Sequence, residues 1–142
     1  MPVPLINMCR PRVLLAEDNA ETAERLRKLL GAEFDVITLV EDGRALVAAS
    51  ARLSPDVIVT DIAMAGIDGI AAAGLIRRHD PNARIVFVTV HAESILIEAA
   101  LDAGALGYVL KDTAGEDLVA AIHAALSGRE YVSPELRGHE ER

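Results

Sequence analysis

The chain has 142 residues, of which 51% are hydrophobic and only 3% aromatic, so we expect one domain with an aliphatic core. A formal net charge of −8 argues against direct nucleic-acid binding, because phosphate contacts need a basic surface. A single cysteine, Cys9, excludes an internal disulfide and favours a cytoplasmic location. No apolar run reaches the roughly 18 residues of a membrane span. Residues 1–11 lack the apolar stretch of a signal peptide and are expected to form a flexible leader.

Short apolar runs and amphipathic stretches alternate five times from Arg12 onward, which is typical of successive strands and helices. The predicted strands lie at 13–16, 35–40, 57–59, 84–89 and 107–110. The predicted helices begin after Asp18 or Asn19, after the turn Glu41-Asp42-Gly43, near Gly69, near Ala92 and at Gly115. They end at Gly31, before Pro55, by His79, at Ala103 and at Ser127. The polar stretch from Arg129 to Arg142 is expected to be a frayed tail or the start of a linker.

This alternation predicts a single doubly wound α/β domain over residues 12–128, with a parallel sheet covered by helices on both faces. Right-handed crossovers between parallel strands are nearly obligatory, which limits the topologies that the pattern permits. The pattern does not fix the strand order, but 2-1-3-4-5 is the common arrangement of five such strands in a flavodoxin-like fold.

Polar side chains follow four of the five predicted strands. Glu17 and Asp18 follow the first strand, Asp61 the third, Thr89 the fourth and Lys111 the fifth. Because the carboxyl ends of parallel strands lie at one edge of a sheet, these groups are expected to converge there. Three carboxylates in one place repel one another unless a cation joins them. Their oxygen ligands favour a hard cation such as Mg²⁺.

The same five residues suit phosphoryl chemistry. Lys111 supplies a positive charge for a phosphate oxygen, and Thr89 supplies a hydroxyl donor. Asp61, which follows the central strand, is placed as a nucleophile toward phosphorus and would form an acyl phosphate. The cation and Lys111 would offset the charge of the transferring group.

From Arg12 to Gly128 the chain resembles the receiver domain of two-component response regulators. The matching motifs are Leu-Ala-Glu17-Asp18-Asn19, Val-Thr-Asp61-Ile-Ala-Met64-Ala-Gly66-Ile-Asp68-Gly69, Val-Phe-Val-Thr89 and Gly-Ala-Leu-Gly-Tyr108-Val-Leu-Lys111. The resemblance implies a flavodoxin-like sheet of order 2-1-3-4-5. It also implies a signalling domain rather than an enzyme, with no chemistry beyond its own phosphorylation and dephosphorylation.

The resemblance assigns a role to each residue of the motifs. It implies that Asp61 accepts a phosphoryl group from a sensor histidine kinase or a phosphotransfer protein. It implies Mg²⁺ as cofactor, held by Asp18, Asp61 and the backbone carbonyl of Ala63, with Glu17 as the second member of the acidic pair.

Four further residues take roles from the same resemblance. Thr89 would be the switch hydroxyl and Lys111 the phosphate contact, and Tyr108 matches the aromatic residue whose inward or outward rotamer reports phosphorylation. Ala63 and His91 occupy the positions that tune hydrolysis of the acyl phosphate. A surface histidine without a catalytic role is an equally good interpretation of His91.

The chain departs from the usual motifs of the family at two places, at Ala65 and at Asp112, where proline is common. Ala65 predicts a looser loop after the phosphoacceptor. The Lys111-Asp112 pair, the last helix and the stretch Ser-Gly-Arg-Glu-Tyr-Val-Ser-Pro-Glu-Leu (127–136) resemble the branch with a LuxR-type helix-turn-helix. This branch implies transcription regulation through an effector domain that these 142 residues do not include. We also expect a weak homodimer and no contact with a membrane.

Three other classes of protein compete with the receiver-domain interpretation. A phosphatase of the haloacid dehalogenase type needs a second aspartate two residues after the nucleophile, where this chain has Ala63. A flavin-binding electron carrier is disfavoured because Glu17 and Asp18 would repel a phosphate after the first strand. The remaining rival is a receiver-like interaction module that no longer takes phosphate, and the retention of all five site residues argues against it.

Overall fold

The computed structural model describes residues 10–136. Its strands are β1 (Arg12–Ala16), β2 (Asp35–Val40), β3 (Val57–Thr60), β4 (Ile85–Thr89), β5 (Gly107–Leu110) and β6 (Tyr131–Val132). Its helices are α1 (Ala20–Leu30), α2 (Gly43–Leu53), α3 (Gly69–His79), α4 (Ser94–Asp102) and α5 (Ala114–Leu126), with a 3₁₀ turn at Lys111–Thr113. Cys9 and most of the predicted leader lie outside the described residues, so that prediction stays a prediction.

All strands pair in parallel, in the order β2-β1-β3-β4-β5-β6. The doubly wound fold and the order 2-1-3-4-5 are therefore confirmed, and a sixth strand extends the sheet at one edge. Every residue of β3 and β4 is buried. This burial explains why both strands are continuous apolar runs, because central parallel strands have both faces covered by helices.

Each face of the sheet carries its own aliphatic core. On one face, Leu14 and Ile58 pack with residues of α2, α3 and α4. On the other face, Leu15 and Val59 pack with residues of α1 and α5. Successive strand residues therefore point to opposite cores, as the two-residue period of a strand requires. The two cores hold the central strand β3 rigidly between β1 and β4.

Side-chain caps fix where three helices start. Asn19 caps α1, with its side-chain oxygen accepting from the N–H of Thr22 at 2.9 Å. Asp42 and Asp68 do the same for α2 and α3. Each cap satisfies an otherwise unpaired backbone N–H of a first helical turn. The loops that follow β1 and β3 therefore have defined ends.

The prediction of a frayed tail after Arg129 is wrong for residues 131–136. Tyr131–Val132 forms β6 beside β5, and Ser133 and Leu136 are 0% and 1% exposed. A two-residue strand is too short to produce a readable periodicity, and a buried serine looks like a loop residue in sequence. Within residues 10–136, no helix is long and apolar enough to cross a membrane.

Candidate functional site

Asp61 lies at the carboxyl end of the central strand and is only 5% exposed. Its backbone N–H donates to the carbonyl of Ala16, which keeps it in line with the end of β1. The chain after it returns so closely that a Cβ on Gly69 would stand 2.1 Å from the carbonyl oxygen of Asp61. Only glycine fits at that position, so the first turn of α3 packs directly against the strand end.

Both oxygens of the Asp61 carboxylate have partners. Oδ1 accepts from the backbone N–H of Ile62 at 2.7 Å, and Oδ2 accepts from Nζ of Lys111, also at 2.7 Å. The same ammonium lies 2.8 Å from Oε1 of Glu17. One lysine from the end of β5 is thus shared between carboxylates from the ends of β3 and β1.

This shared position determines the electrostatics of Lys111. Burial by itself would lower the pKa of Lys111, but its close contacts with Asp61 and Glu17 and their negative charges outweigh that effect and raise the pKa. The ammonium is therefore charged at neutral pH, and it offsets the repulsion between two carboxylates that are almost completely buried.

Glu17 is 1% exposed, and its Oε2 accepts from the backbone N–H of Asn19 at 3.0 Å. Its Oε1 is buried and makes no hydrogen bond of good geometry, although Lys111 stands within ion-pair distance. Asp18 and Ala63 are both exposed at the rim of this site. Two of the three acidic side chains, those of Glu17 and Asp61, meet at the lysine.

The carboxylate and carbonyl oxygens of this site are ligands that suit a hard cation, but the described carboxylates do not converge on a single point where a cation could bind. Among residues 10–136, no three His, Cys, Asp or Glu side chains form a group that could hold a metal ion. Nζ of Lys111 contacts both buried carboxylates and offsets their charge. Oxygen-only donors and a buried oxygen on Glu17 without a hydrogen bond are the features that suit Mg²⁺.

Thr89 and Tyr108 are both completely buried, and each makes a hydrogen bond to the backbone of His91. The backbone N–H of His91 donates to Oγ1 of Thr89 at 3.3 Å, and the hydroxyl of Tyr108 donates to the carbonyl of His91 at 2.8 Å. Tyr108 therefore occupies the inward position. Its burial, with the negative charges of Glu93 and Asp61 nearby, raises the pKa of Tyr108.

The contacts that the His91 backbone makes with Thr89 and Tyr108 could not be predicted from the sequence, because every residue type has the same backbone carbonyl and nearly every type has the same N–H. The imidazole itself is 38% exposed, with Nδ1 3.5 Å from the carboxylate of Glu93. Its side chain therefore faces the outer side of the loop between β4 and α4, while its backbone connects the two buried residues.

The loop between Asp61 and α3, which contains Ala65, contacts the start of α2. Ala65 forms a parallel backbone bridge with Asp42, the residue that caps α2. A Cβ on Gly43 would stand 2.3 Å from the carbonyl oxygen of Ile67, so α2 packs closely against this loop. The loop therefore has defined backbone contacts with the start of α2, and the prediction of a looser loop stays a prediction.

Three comparisons place the chain among known proteins. Residues 13–123 match the family described as response regulator receiver domain. The chain is 37% identical over 125 residues to the uncharacterized transcriptional regulatory protein YxjL of Bacillus subtilis (strain 168), a match covering 87% of this chain and 57% of that protein. A crystal structure of a LuxR-family two-component response regulator from Aurantimonas sp. SI85-9A1 superposes with a TM-score of 0.89 at 34% identity, covering 94% of this chain and 98% of that one.

A second solved structure is that of a relative in the presence of a phosphate mimic. The isolated REC domain of RcsB from Salmonella enterica serovar Typhimurium, in the presence of phosphomimetic BeF3−, superposes with a TM-score of 0.82. It is 29% identical, and the match covers 90% of this chain and 96% of that one.

The doubly wound sheet carries two buried carboxylates and a lysine at its carboxyl edge. The chain belongs to the response regulator receiver domain family of two-component systems, and its relatives include LuxR-family regulators. It spans little more than half the length of YxjL.

Proposed function

We propose that the domain is a phosphorylation-dependent switch that accepts a phosphoryl group on Asp61 from a sensor histidine kinase or a phosphotransfer protein. The observation that carries the proposal is the 2.7 Å contact between Oδ2 of Asp61 and Nζ of Lys111. In the transfer, an oxygen of Asp61 attacks phosphorus, the phosphorus–nitrogen bond of the phosphohistidine breaks, and the ring nitrogen keeps the electron pair. Lys111 then neutralises a phosphoryl oxygen.

Mg²⁺ is the cofactor that we assign to this transfer. Asp18, Asp61 and the backbone carbonyl of Ala63 would hold the ion, with Glu17 as the second acidic neighbour. When bound, the ion neutralises charge on the transferring group. The support from this chain is its oxygen-only donors and the buried oxygen of Glu17 that lacks a hydrogen bond. Asp18 is exposed at the rim and can turn inward without disturbing a packed core.

The switch is proposed to act through the backbone of His91. Oγ1 of Thr89 now accepts from the His91 N–H, so turning this hydroxyl toward a phosphoryl oxygen disturbs that bond. The carbonyl of His91, in the next peptide group, accepts from Tyr108, and a shift of the His91 backbone carries the change to the face formed by α4, β5 and α5. The positions of Ala63 and His91 are proposed to tune hydrolysis of the phosphate.

Phosphate uptake is the test of this proposal. The protein is incubated with a small acyl phosphate, with Mg²⁺ or with a chelator, and its intact mass is measured. We expect one phosphoryl group in the presence of Mg²⁺ and none with the chelator. Asp61→Asn should take up none while keeping the thermal stability of a folded domain. Uptake that persists in Asp61→Asn would overturn the assignment, and no uptake in the native sequence would favour the rival interaction module.

The output is proposed to be transcription regulation through protein contacts, by a cytoplasmic protein whose effector lies outside these residues. The net charge of −8 disfavours DNA binding by the domain itself. We expect a weak homodimer, formed either through α1 and α5 or through the switch face, which phosphorylation tightens. A DNA-shift assay at physiological salt should be negative, and sedimentation with and without beryllofluoride should reveal the dimer. Tight DNA binding would contradict the charge argument, and a monomer in both states would leave partner gating as the output.

A further inference from the structure

A second buried carboxylate, Asp117, lies in the first turn of α5 and is 7% exposed. Its Oδ2 accepts from the hydroxyls of Thr113 at 2.7 Å and Ser133 at 3.1 Å. Its Oδ1 accepts from the hydroxyl of Tyr131 at 2.9 Å. We call this set the Asp117 clasp, because it joins the 3₁₀ turn, the helix and the segment that follows the helix.

The negative charge of the Asp117 carboxylate has no cationic side chain as partner among the described residues. Among residues 10–136, none of the ion pairs includes Asp117. Hydrogen bonds to an ionised acceptor are stronger than neutral ones, and the start of a helix favours negative charge. Three hydroxyl donors and the first turn of α5 therefore replace the missing counter-charge.

The clasp is attached to the end of β5, where the phosphate contact lies. Oγ of Ser133 accepts from the backbone N–H of Leu110 at 3.1 Å, and the N–H of Ser133 donates to the carbonyl of Tyr108 at 3.0 Å. Thr113 ends the short turn that begins at Lys111. Residues 131–136 are thus bonded to the strand that carries both Tyr108 and Lys111.

We propose that the Asp117 clasp couples the phosphorylation state of Asp61 to the docking of residues 131–136, with Asp117 as a positioning residue. This proposal rests on the proposed function. A phosphoryl group adds negative charge at Asp61 and draws Nζ of Lys111 away from Glu17. Lys111 is the first residue of the turn Lys111–Thr113, so a pull on its side chain is also a pull on this turn. Phosphorylation therefore loosens the segment.

The direction of the effect follows from hydrogen-bond geometry. The bond from Thr113 to Asp117 is 2.7 Å long and is already at its best length. Any displacement of the turn weakens it, and a shift of Leu110 weakens its bond to Ser133 in the same way. Val132 and Leu136, which are 8% and 1% exposed, become accessible when the segment detaches.

Peptide-resolved amide exchange tests the coupling, with and without beryllofluoride and Mg²⁺. In the native sequence, beryllofluoride should speed exchange over 131–136 several-fold. In Asp117→Asn, this exchange should already be about tenfold faster, as expected for the loss of a hydrogen bond to a charged group, and should not respond further. Glu116→Gln, which removes the neighbouring charge in the same helical turn, should behave like the native sequence.

A second variant keeps the test decisive. Ser133→Ala removes one donor and should give the same loss of response if Asp117→Asn fails to fold. A response around Asp61 with unchanged exchange over 131–136 in the native sequence would overturn the coupling alone. An absence of any response around Asp61 would overturn the proposed function and the coupling with it.

Discussion

Asp61 and Asp117 are two buried carboxylates held in opposite ways. Asp61 is 5% exposed and bonded to an ammonium that also contacts Glu17. Asp117 is 7% exposed and bonded to three hydroxyl groups from residues on either side of α5. One carboxylate has a charged partner on a long side chain, whereas the other has only neutral partners at fixed positions.

The difference shows how one domain can hold a reactive carboxylate directly after β3 and a structural carboxylate in α5. Lys111 has rotatable bonds and a second acceptor in Glu17, so its contact with Asp61 can be rearranged when charge is added. The donors to Asp117 are short side chains within ordered elements, which limits their rearrangement. We therefore expect chemistry at Asp61 and mechanical coupling at Asp117.

The largest expected effect comes from removing the cation. Lys111→Met leaves Glu17 and Asp61 as unpaired buried charges and should lower the free energy of unfolding by about 3 kcal/mol, the usual cost of such a change. Urea unfolding at neutral pH measures it. Lys28→Met, at an exposed lysine of α1, should cost almost nothing.

A loss below about 1 kcal/mol in Lys111→Met, the range of exposed ion pairs, would contradict the view that this ammonium stabilises the site. The comparison of the two aspartates would then lose its electrostatic basis.

The two tyrosines provide a smaller and matched test. Tyr131→Phe removes a hydrogen bond to the charged Asp117 and should cost about 2 kcal/mol. Tyr108→Phe removes a bond to the neutral carbonyl of His91 and should cost about 1 kcal/mol. Both values come from urea unfolding of the same domain. The reverse order would show that the clasp is weaker than its geometry indicates.

Thr89→Ala should separate phosphate uptake from the response of the switch face. The variant should still accept phosphate on Asp61, but the several-fold change in amide exchange over α4 and β5 should disappear, because Thr89 is the acceptor of the His91 N–H. With beryllofluoride in place of phosphate, His91→Ala is the control, since it keeps the backbone N–H and carbonyl that make both contacts. Equal responses in Thr89→Ala and the native sequence would refute the coupling through His91.

The smallest effect is expected at alkaline pH. The raised pKa of Lys111 means that the folded state holds this proton more tightly than the unfolded chain. Its stabilisation is therefore complete below the unfolded value of about 10.4 and is lost as the pH rises through the folded value. Urea unfolding at successive alkaline pH values should show a steeper decline in the native sequence than in Lys111→Met. Parallel declines would contradict the assignment.

Much of this architecture could be predicted from the sequence, because it rests on short-range patterns. The run Val57-Ile58-Val59 indicated a buried strand, and Asp61 after it indicated the sheet edge. Lys111 was expected at the same edge, and the structure brings it to Asp61 and Glu17. The exposed position of Asp18 was not expected, because sequence contains no distances between strand ends.

The remaining features depend on contacts that have no local pattern. The Asp117 clasp joins residues up to 16 positions apart, and each of its members is an ordinary polar residue in sequence. Strand β6 has only two residues. The link between Thr89 and Tyr108 runs through a backbone group of His91, which any residue except proline could supply as a donor.

The most direct test of the difference between the two aspartates is to locate the acyl phosphate chemically. The protein is phosphorylated with a small acyl phosphate and Mg²⁺ and then reduced with borohydride, which converts an aspartyl phosphate into homoserine. Digestion and peptide sequencing by mass spectrometry then identify the modified position. We predict homoserine at Asp61 and unmodified aspartate at Asp117. Modification at Asp117, or at Asp18 with Asp61 unchanged, would contradict the account.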